Sequence, residues 1–527
     1  MTLNTAWLVA LAPGLLLAAA ALAFRDRALR PRRAPRAVET AAVLAFACVA
    51  LAAVALVGAG SVTFGPSLAG LGLTLRVDVV TITLLLLVTF IGWVVLRYSA
   101  TYLDGEPRQG PFLGWMSATL AAVMLLVSAG DLLMLLLAWV ATSLTLHRLL
   151  LFYPQRRAAR RAARKKWLVA RAGDVALGLA AVLLWLATGT GEITAIGSAA
   201  DASGPMVILA AGLLALAAVL KSAQFPTHGW LTEVMEAPTP VSALLHAGVV
   251  NAGGVLLIRF ADVMLAAPGV LAVLAMVGGF TALAGGLVML TQSAVKTSLA
   301  WSTIAQMGFM MFQCGLGLFA LALLHIVAHS LYKAHAFLGA GGAVEQVAAN
   351  RRPGPVAVPS GRAVLRSFLL ALAIYAVIGL LFGVESKSPQ AIALGAILIF
   401  GVAYLIAQGL ADAAPWALTR RTVLASGAAA VSYFALQTGT EWLVAGTLPA
   451  TPPPGPLEWA LIVLALVSFG TVAVAQALFP LWAGHPAAAG LRVHLVNGLY
   501  ANAVFDRLIG GWSHAFHDRQ GGLPHDR

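Results

Sequence analysis

Several ionisable side chains of this chain lie inside or beside long apolar segments. A charge near the centre of a bilayer costs roughly 2.5–3.5 kcal/mol on insertion scales, so such residues are rare and commonly functional. Histidine titrates near neutral pH, and a lysine taken out of water can alternate between its charged and neutral forms. These groups could therefore carry protons or other cations. The candidate pathway residues are Lys221, His246, Asp174, Glu233, Glu236, Lys296, His325, His329 and Lys333.

Residues 221–259 contain the densest group of these signals. Lys221 ends the apolar run LLALAAVL, prolines interrupt the following segment, and His246 lies in the next apolar helix. A helix that breaks at membrane depth exposes backbone polar groups, which is tolerated only inside protein or beside a wet cavity. Transporters place their ion sites at such breaks. We therefore predict a broken helix and a cation site here.

A second group lies downstream. His325, His329 and Lys333 are spaced i, i+4 and i+8, so all three should share one face of a helix. The alternative for each histidine is a structural polar group that joins two helices. For Glu233 and Glu236, an interface or helix-terminus role is as well supported as a pathway role. Asp78 and Asp131 stand at predicted helix starts, where we expect N-terminal caps.

Composition sets the fold class. The chain has 527 residues, 60% hydrophobic and only 10% charged, which predicts an all-α polytopic membrane protein with about 13–15 transmembrane helices. The net charge of +13 comes from basic loops between the apolar segments. This pattern indicates membrane orientation, with those loops in the cytoplasm, and not a nucleic-acid partner. No pattern typical of a nucleotide, metal or other cofactor site is present.

The order of apolar and basic segments predicts four regions. Residues 1–111 form N-terminal transmembrane helices, 112–345 the cation-translocation core and 346–490 a C-terminal group of helices. A Pro/Gly/Arg loop at 346–362 separates the last two. Residues 491–527 form an amphipathic tail for the membrane lipid surface or a partner.

Four motifs carry a family resemblance: KSAQFPTHGWLTEVMEAPTPVSALLHAG at 221–248, RAGDV at 171–175, LTQSAVKTSLAWSTIAQMGFM at 290–310 and HIVAHSLYKAHAFL at 325–338. Together they resemble the antiporter-like proton-transporting membrane proteins, which include the large subunits of respiratory complex I and the multisubunit sodium/proton antiporters. The resemblance implies two inverted five-helix repeats, each with a broken helix. It also places Lys221 and His246 in a proton path through the membrane midplane.

One position departs from the complex I pattern. Members of that type carry a glutamate after the tryptophan of the fifth span, where it pairs with the broken-helix lysine. Here Val140 follows Trp139. We hypothesise that Asp174 pairs with Lys221 instead.

Three further segments, AWVATSLTLHRLLLFYP, QFPTHGWLTEVMEAPTPVSALLHAGVVNAGG and RVHLVNGLYANAVFDRL, resemble the DabB family, the membrane subunits of bacterial inorganic-carbon accumulation systems. The resemblance implies a multi-pass protein of the bacterial inner membrane that is not itself an enzyme. It implies that H+ or Na+ drives a cytoplasmic zinc partner, the DabA-like subunit related to carbonic anhydrases, which converts CO2 to bicarbonate. The alternatives are a proton-pumping subunit of a complex I-like or hydrogenase-like assembly and a cation/proton antiporter subunit.

Overall fold

The computed structural model describes residues 2–68, 70–200, 204–342, 345, 360–409 and 416–508. Most of the predicted Pro/Gly/Arg loop, residues 346–359, lies outside the described residues, and so does the end of the tail, residues 509–527.

Helices make up nearly all of the described chain. The helices of the first half are α1 Thr2–Arg25, α2 Arg33–Ala59, α3 Val79–Tyr102, α4 Gln109–Val127, α5 Leu132–Leu150, α6 Arg157–Thr188, α7 Ile193–Ala199, α8 Pro205–Lys221 and α9 Gly229–Glu233. They are followed by α10 Thr239–Ala247, α11 Ala252–Arg259, α12 Ala261–Leu265, α13 Pro268–Met289, α14 Val295–Gly315 and α15 Phe319–Leu338. The C-terminal group contains α16 Gly361–Leu381, α17 Pro389–Gly409, α18 Trp416–Val444, α19 Pro456–Ala477, α20 Phe479–Trp482 and α21 Pro486–Val496.

Eleven helical segments of the described chain are long and apolar enough to cross a membrane, when α10 and α11 are counted together as Thr239–Arg259. Pro205–Lys221 and Pro389–Ala403 are shorter apolar helices, while α14 and α18 are long but carry more polar residues. An α-helix satisfies its own backbone hydrogen bonds, which is why it can lie in lipid. The prediction of an all-α polytopic membrane protein is therefore confirmed.

The basic loops lie on one side of the helices, here named the basic side. Arg30 forms an ion pair with Asp104 at 3.7 Å, and the guanidinium of Arg108 lies 4.7 Å from the ring centroid of Phe152. These contacts join the loops after α1, α3 and α5. On the opposite side, a short antiparallel pair of strands, Val62–Phe64 and Leu75–Val77, precedes α3.

A buried ionic group lies on that opposite side, at the start of α3. Asp78 caps α3 by accepting a hydrogen bond from the Thr81 amide at 2.7 Å, as predicted. Its other carboxylate oxygen lies 2.7 Å from Arg76 Nε and accepts from Arg259 Nη1 at 2.8 Å. Arg259 also donates to the Val127 carbonyl at 3.0 Å. Burial alone would raise the pKa of the Asp78 carboxyl, but the two guanidinium groups lower the pKa on balance.

We expect Asp78→Ala to destabilise the protein by about 3–5 kcal/mol, because it leaves the buried guanidinium of Arg259 without its carboxylate. Thermal unfolding in detergent measures this loss. The matched control is Asp104→Ala, which removes an exposed ion pair and should change stability by less than about 1 kcal/mol. Equal losses in the two variants would contradict a structural role for the buried group.

Candidate functional site

The predicted first break follows Lys221, where α8 ends. The chain then turns through residues 222–228 before the short helix α9. Side chains satisfy the polar groups of this break: Gln224 donates to the Ser222 carbonyl at 2.8 Å, and the Phe225 amide donates to Thr281 Oγ1 at 3.2 Å. The break is therefore buried in protein and fully compatible with membrane depth.

Neutral oxygen atoms of α5 hold the buried ammonium of Lys221. Lys221 Nζ donates to Ser143 Oγ at 2.8 Å, to Thr142 Oγ1 at 3.4 Å and to the Trp139 carbonyl at 3.5 Å. It also lies 4.3 Å from the centroid of the Trp139 ring, within the range of a cation–π contact. This turn of α5 contains Val140, and hydroxyls, a carbonyl and an aromatic face surround Lys221.

A second buried lysine, which the sequence analysis missed, contacts the same turn. Lys166 Nζ donates to the Ser143 carbonyl at 2.8 Å. Ser143 therefore links Lys166 on α6 to Lys221 on α8 through its two oxygen atoms. On sequence alone, the run RRAARRAARKK counts among the basic loops. The run instead belongs to α6, and Lys165 and Lys166 are buried.

Asp174, which we hypothesised to pair with Lys221, forms no direct ion pair with it among the described contacts, although its negative charge acts favourably on the Lys221 ammonium. The Asp174 carboxylate forms an ion pair with Arg171 at 2.6 Å, three residues earlier on α6. Residues three apart on a helix lie on the same face, so this partner is available at little conformational cost. No carboxylate lies within 4 Å of Lys221 Nζ among the described residues.

A second break interrupts the helix that carries His246, where the sequence had predicted one continuous apolar helix. α10 ends at Ala247, a short 3-10 turn follows from Val249 to Asn251, and α11 begins at Ala252. The freed carbonyls have partners: Asn251 donates to the Ala247 carbonyl at 3.0 Å and Ser222 donates to the Val250 carbonyl at 2.8 Å. The two breaks are thus hydrogen-bonded to each other.

The predicted face of α15 packs against this second break. His329 Nε2 lies 3.1 Å from the His246 carbonyl, and Ser330 Oγ accepts from Asn251 at 2.9 Å. The ring centroids of His325 and His329 are 5.9 Å apart. The i, i+4 spacing therefore places the two imidazoles on one face of α15, and His329 contacts the break.

His246 connects this group to Lys333 through α14. His246 Nδ1 lies 3.0 Å from Thr303 Oγ1, and Thr303 in turn donates to the Leu299 carbonyl at 3.0 Å. Lys333 Nζ donates to the same carbonyl at 3.3 Å and is completely buried. His246 and Lys333 are therefore linked through the Thr303 hydroxyl and the Leu299 carbonyl.

A small internal cavity lies between the Lys221 group and this histidine group. Its volume is about 40 Å3, and its lining includes Thr142, Asn251 and Ser330 among apolar side chains. Thr142 contacts Lys221, whereas Asn251 and Ser330 lie beside His329. The rest of the lining is apolar, and a buried water needs two or more polar partners.

The remaining predicted residues lie closer to the basic side. Lys296 donates to Thr239 Oγ1 at 3.0 Å near the start of α10. Glu236 forms a partly exposed ion pair with Arg156 at 3.3 Å. Glu233 lies 2.5 Å from Lys165 Nζ. Both glutamates therefore join the broken segment to α6, which favours their interface role.

His228, in the turn between α8 and α9, is a buried histidine with a structural environment. Its ring is stacked 3.9 Å from Phe225 and lies 4.9 Å from Trp301. Neither ring nitrogen of His228 has a hydrogen-bond partner among the described residues, so it packs here as an aromatic side chain.

A further polar cluster lies in the C-terminal helices and was also missed. Lys387, between α16 and α17, forms an ion pair with Glu441 and donates to Thr438 Oγ1 at 3.1 Å. Gln437 donates to the other oxygen of Glu441 at 3.0 Å. The sequence signal was a lysine and a glutamate at the ends of two apolar segments, which alone does not reveal their pairing.

Comparison with known proteins identifies the family. A model described as NADH:quinone oxidoreductase/Mrp antiporter, TM, matches residues 129–352, and one described as NADH-ubiquinone oxidoreductase (complex I), chain 5 N-terminus, matches residues 68–113. The chain is 39% identical over 528 residues to the probable inorganic carbon transporter subunit DabB2 of Halothiobacillus neapolitanus, across 96% of this chain and 94% of that one. The chain belongs to the DabB family. Another family member, from Hydrogenovibrio crunogenus, is 44% identical over 317 residues, which cover 59% of this chain and 61% of its own.

Solved structures confirm the antiporter-like fold of this DabB family member. A chain of the Mrp complex from Dietzia sp. DQ12-45-1b superposes with a TM-score of 0.65 at 23% identity. The match covers 98% of this chain and 60% of that chain. The protein is thus a multi-pass membrane protein whose relatives are subunits of larger assemblies.

We expect Asn251→Ala to lower the free energy of unfolding by about 1–3 kcal/mol, because it leaves the Ala247 carbonyl and Ser330 hydroxyl without their buried partner. Thermal or detergent-induced unfolding measures the change. Asn497→Ala removes a comparable hydrogen bond at an exposed position, and we expect a change within about 0.5 kcal/mol. A neutral Asn251→Ala would show that the break does not depend on this side chain.

Proposed function

We propose that this chain is the cation-conducting membrane subunit of an inorganic carbon accumulation complex, and that the cation is a proton. The main support is the presence of two groups of buried bases, whose polar partners line one cavity. One group is Lys221 with its hydroxyl partners, and the other contains His246, His329 and Lys333. Buried ionisable groups are costly in a membrane, so their alignment favours a pathway over a structural role.

The path runs laterally through the middle of the protein. Thr142 contacts Lys221 and lines the cavity, and its hydroxyl can both donate and accept a hydrogen bond. Across the cavity, Asn251 and Ser330 stand beside His329. The Thr303 hydroxyl then joins His246 to the carbonyl that holds Lys333.

The character of these groups favours H+ over Na+. Imidazole and amine nitrogens bind and release protons, whereas hard metal cations select carboxylate, carbonyl and water oxygens. The path contains nitrogen bases and hydroxyls, and the carboxylate of Asp174 is paired with Arg171. Sodium remains the alternative ion, which flux measurements in sodium-free buffer distinguish.

The proton flow drives a partner subunit that catalyses the reaction. In this proposal the partner is a cytoplasmic zinc protein of the carbonic-anhydrase-related DabA type, which converts CO2 to bicarbonate at the bacterial inner membrane. The names of the relatives, inorganic carbon transporter subunits, support this assignment. The present chain then has a transport role and no enzymatic role of its own.

A second candidate is a proton-pumping subunit of a redox-driven or antiporter complex. The family model that names quinone oxidoreductases and Mrp antiporters favours it. The neutral surroundings of Lys221 at Val140 count against it, because complex I-type members carry a glutamate there. The composition of the purified complex decides between the two.

We expect Lys221→Ala to abolish function, since it removes the ammonium that donates to the hydroxyls of Thr142 and Ser143. A carbonic-anhydrase-deficient bacterium that expresses this chain with its partner should grow in ambient air, and the variant should fall to the level of empty vector. Arg366→Ala, an exposed cation in the C-terminal helices, is the control and should support normal growth. Normal growth with Lys221→Ala would remove Lys221 from the mechanism.

Affinity purification of the chain from mild detergent should yield one large soluble partner with stoichiometric zinc, measured by metal analysis. Iron–sulfur or flavin subunits in the purified complex would contradict the inorganic carbon proposal and favour the redox candidate.

A further inference from the structure

The C-terminal tail returns to the basic side and packs beside the first break. After α21 it turns at Gly498–Tyr500, and residues 501–508 are helical. Gln292, in the loop before α14, donates to the Val496 carbonyl at 3.4 Å. Gly498 has a φ of +59°, and a Cβ at this position would collide with the Trp301 ring. The tail therefore contacts the same elements that enclose the break.

Lys165 is the centre of the tail contact. Its Nζ lies 2.5 Å from Glu233 Oε1, donates to Asn502 Oδ1 at 2.8 Å and forms an ion pair with Asp506. Asn502 also donates to Glu233 at 2.8 Å. Only 3% of the Lys165 side chain is exposed. Gly229 permits this approach, because a Cβ there would overlap the Asn502 side chain.

The cluster of Lys165, Glu233, Asn502 and Asp506 is here named the tail clamp. Its residue Lys165 is the sequence neighbour of Lys166, which contacts the Lys221 site. Lys166, the next residue of α6, donates to the carbonyl of Ser143, and the hydroxyl of Ser143 accepts from Lys221. A helix moves as a nearly rigid body over one turn, so a shift of α6 at Lys165 also shifts Lys166. The clamp is thereby mechanically joined to the α5 turn that holds Lys221.

The turn that leads into the clamp is strained. Leu499 and Tyr500 have φ angles of +55° and +58°, in the left-handed region that bulky side chains rarely occupy. Such a conformation persists only where surrounding contacts enforce it. The contacts of the clamp supply that enforcement, and release of the tail would relieve the strain. The tail is thus suited to two states, docked and released.

We propose that the docked tail restrains the Lys221 site in a poorly conducting state and that release of residues 501–508 increases proton passage. This inference rests on the proposed function and concerns its regulation. In the docked state the clamp fixes α6, and Lys166 keeps its contact with Ser143. A partner on the basic side that binds the released tail more tightly than the docked tail would shift the protein to the conducting state.

Asp506→Lys is the decisive variant, because it places a second cation against Lys165 and forces the tail to separate. Arg507→Glu is the matched control: it reverses the charge of an exposed neighbour on the same turn. The full-length chain is reconstituted in lipid vesicles with an internal pH-sensitive dye, and proton influx is measured under an imposed membrane potential. Hydrogen–deuterium exchange of residues 501–508 reports directly whether the tail is docked.

We expect Asp506→Lys to raise influx at least threefold and to accelerate exchange in residues 501–508, with Arg507→Glu like wild type. Adding Lys221→Ala to Asp506→Lys should abolish the extra influx. Lys165→Gln, which removes the centre of the clamp, is the second variant and should act in the same direction.

Faster exchange without increased influx in both variants would overturn the inference. Extra influx that survives Lys221→Ala would overturn it too, because the leak would then bypass the site. Failure of the proposed function is a separate result, since it would appear as normal growth with Lys221→Ala in the otherwise unchanged chain.

Discussion

The hydrogen bond from Ser222 to the Val250 carbonyl joins two helix breaks, and the buried centre of the protein depends on it. Each break exposes backbone groups that lipid cannot satisfy. The chain resolves this by placing the breaks side by side, with polar side chains of both segments as partners. Asn251, His329 and Ser222 each contact a backbone carbonyl of the second break. Any transport chemistry uses groups that the fold already requires at this depth.

The sequence was sufficient for much of this arrangement. The prolines after Lys221 and the long apolar segments predicted a break in an all-α membrane protein, and the i, i+4, i+8 spacing predicted the shared face of His325, His329 and Lys333. These signals are local, since they depend on helix geometry and on the cost of charge in lipid. The pathway roles themselves stay predictions until the variants are measured.

Other parts of the site depend on tertiary contacts that one sequence does not reveal. The second break has only a weak local signal, the small residues around Asn251, because its freed carbonyls are satisfied by residues from other helices. On sequence alone, Lys165 and Lys166 belong to a basic loop, and only packing of α6 against α5 and the tail shows that they are buried. The Asp174 hypothesis considered charge balance at Lys221 but overlooked the local partner Arg171.

The ionic group at Asp78 has a mechanical consequence for the helix that carries His246. Arg259 is the last residue of α11 and is tied there to Asp78 and to the Val127 carbonyl. A helix anchored at this end cannot slide along its own axis like a piston. Any displacement of His246 would therefore require bending or rotation at Gly248–Asn251, where the two half-helices meet.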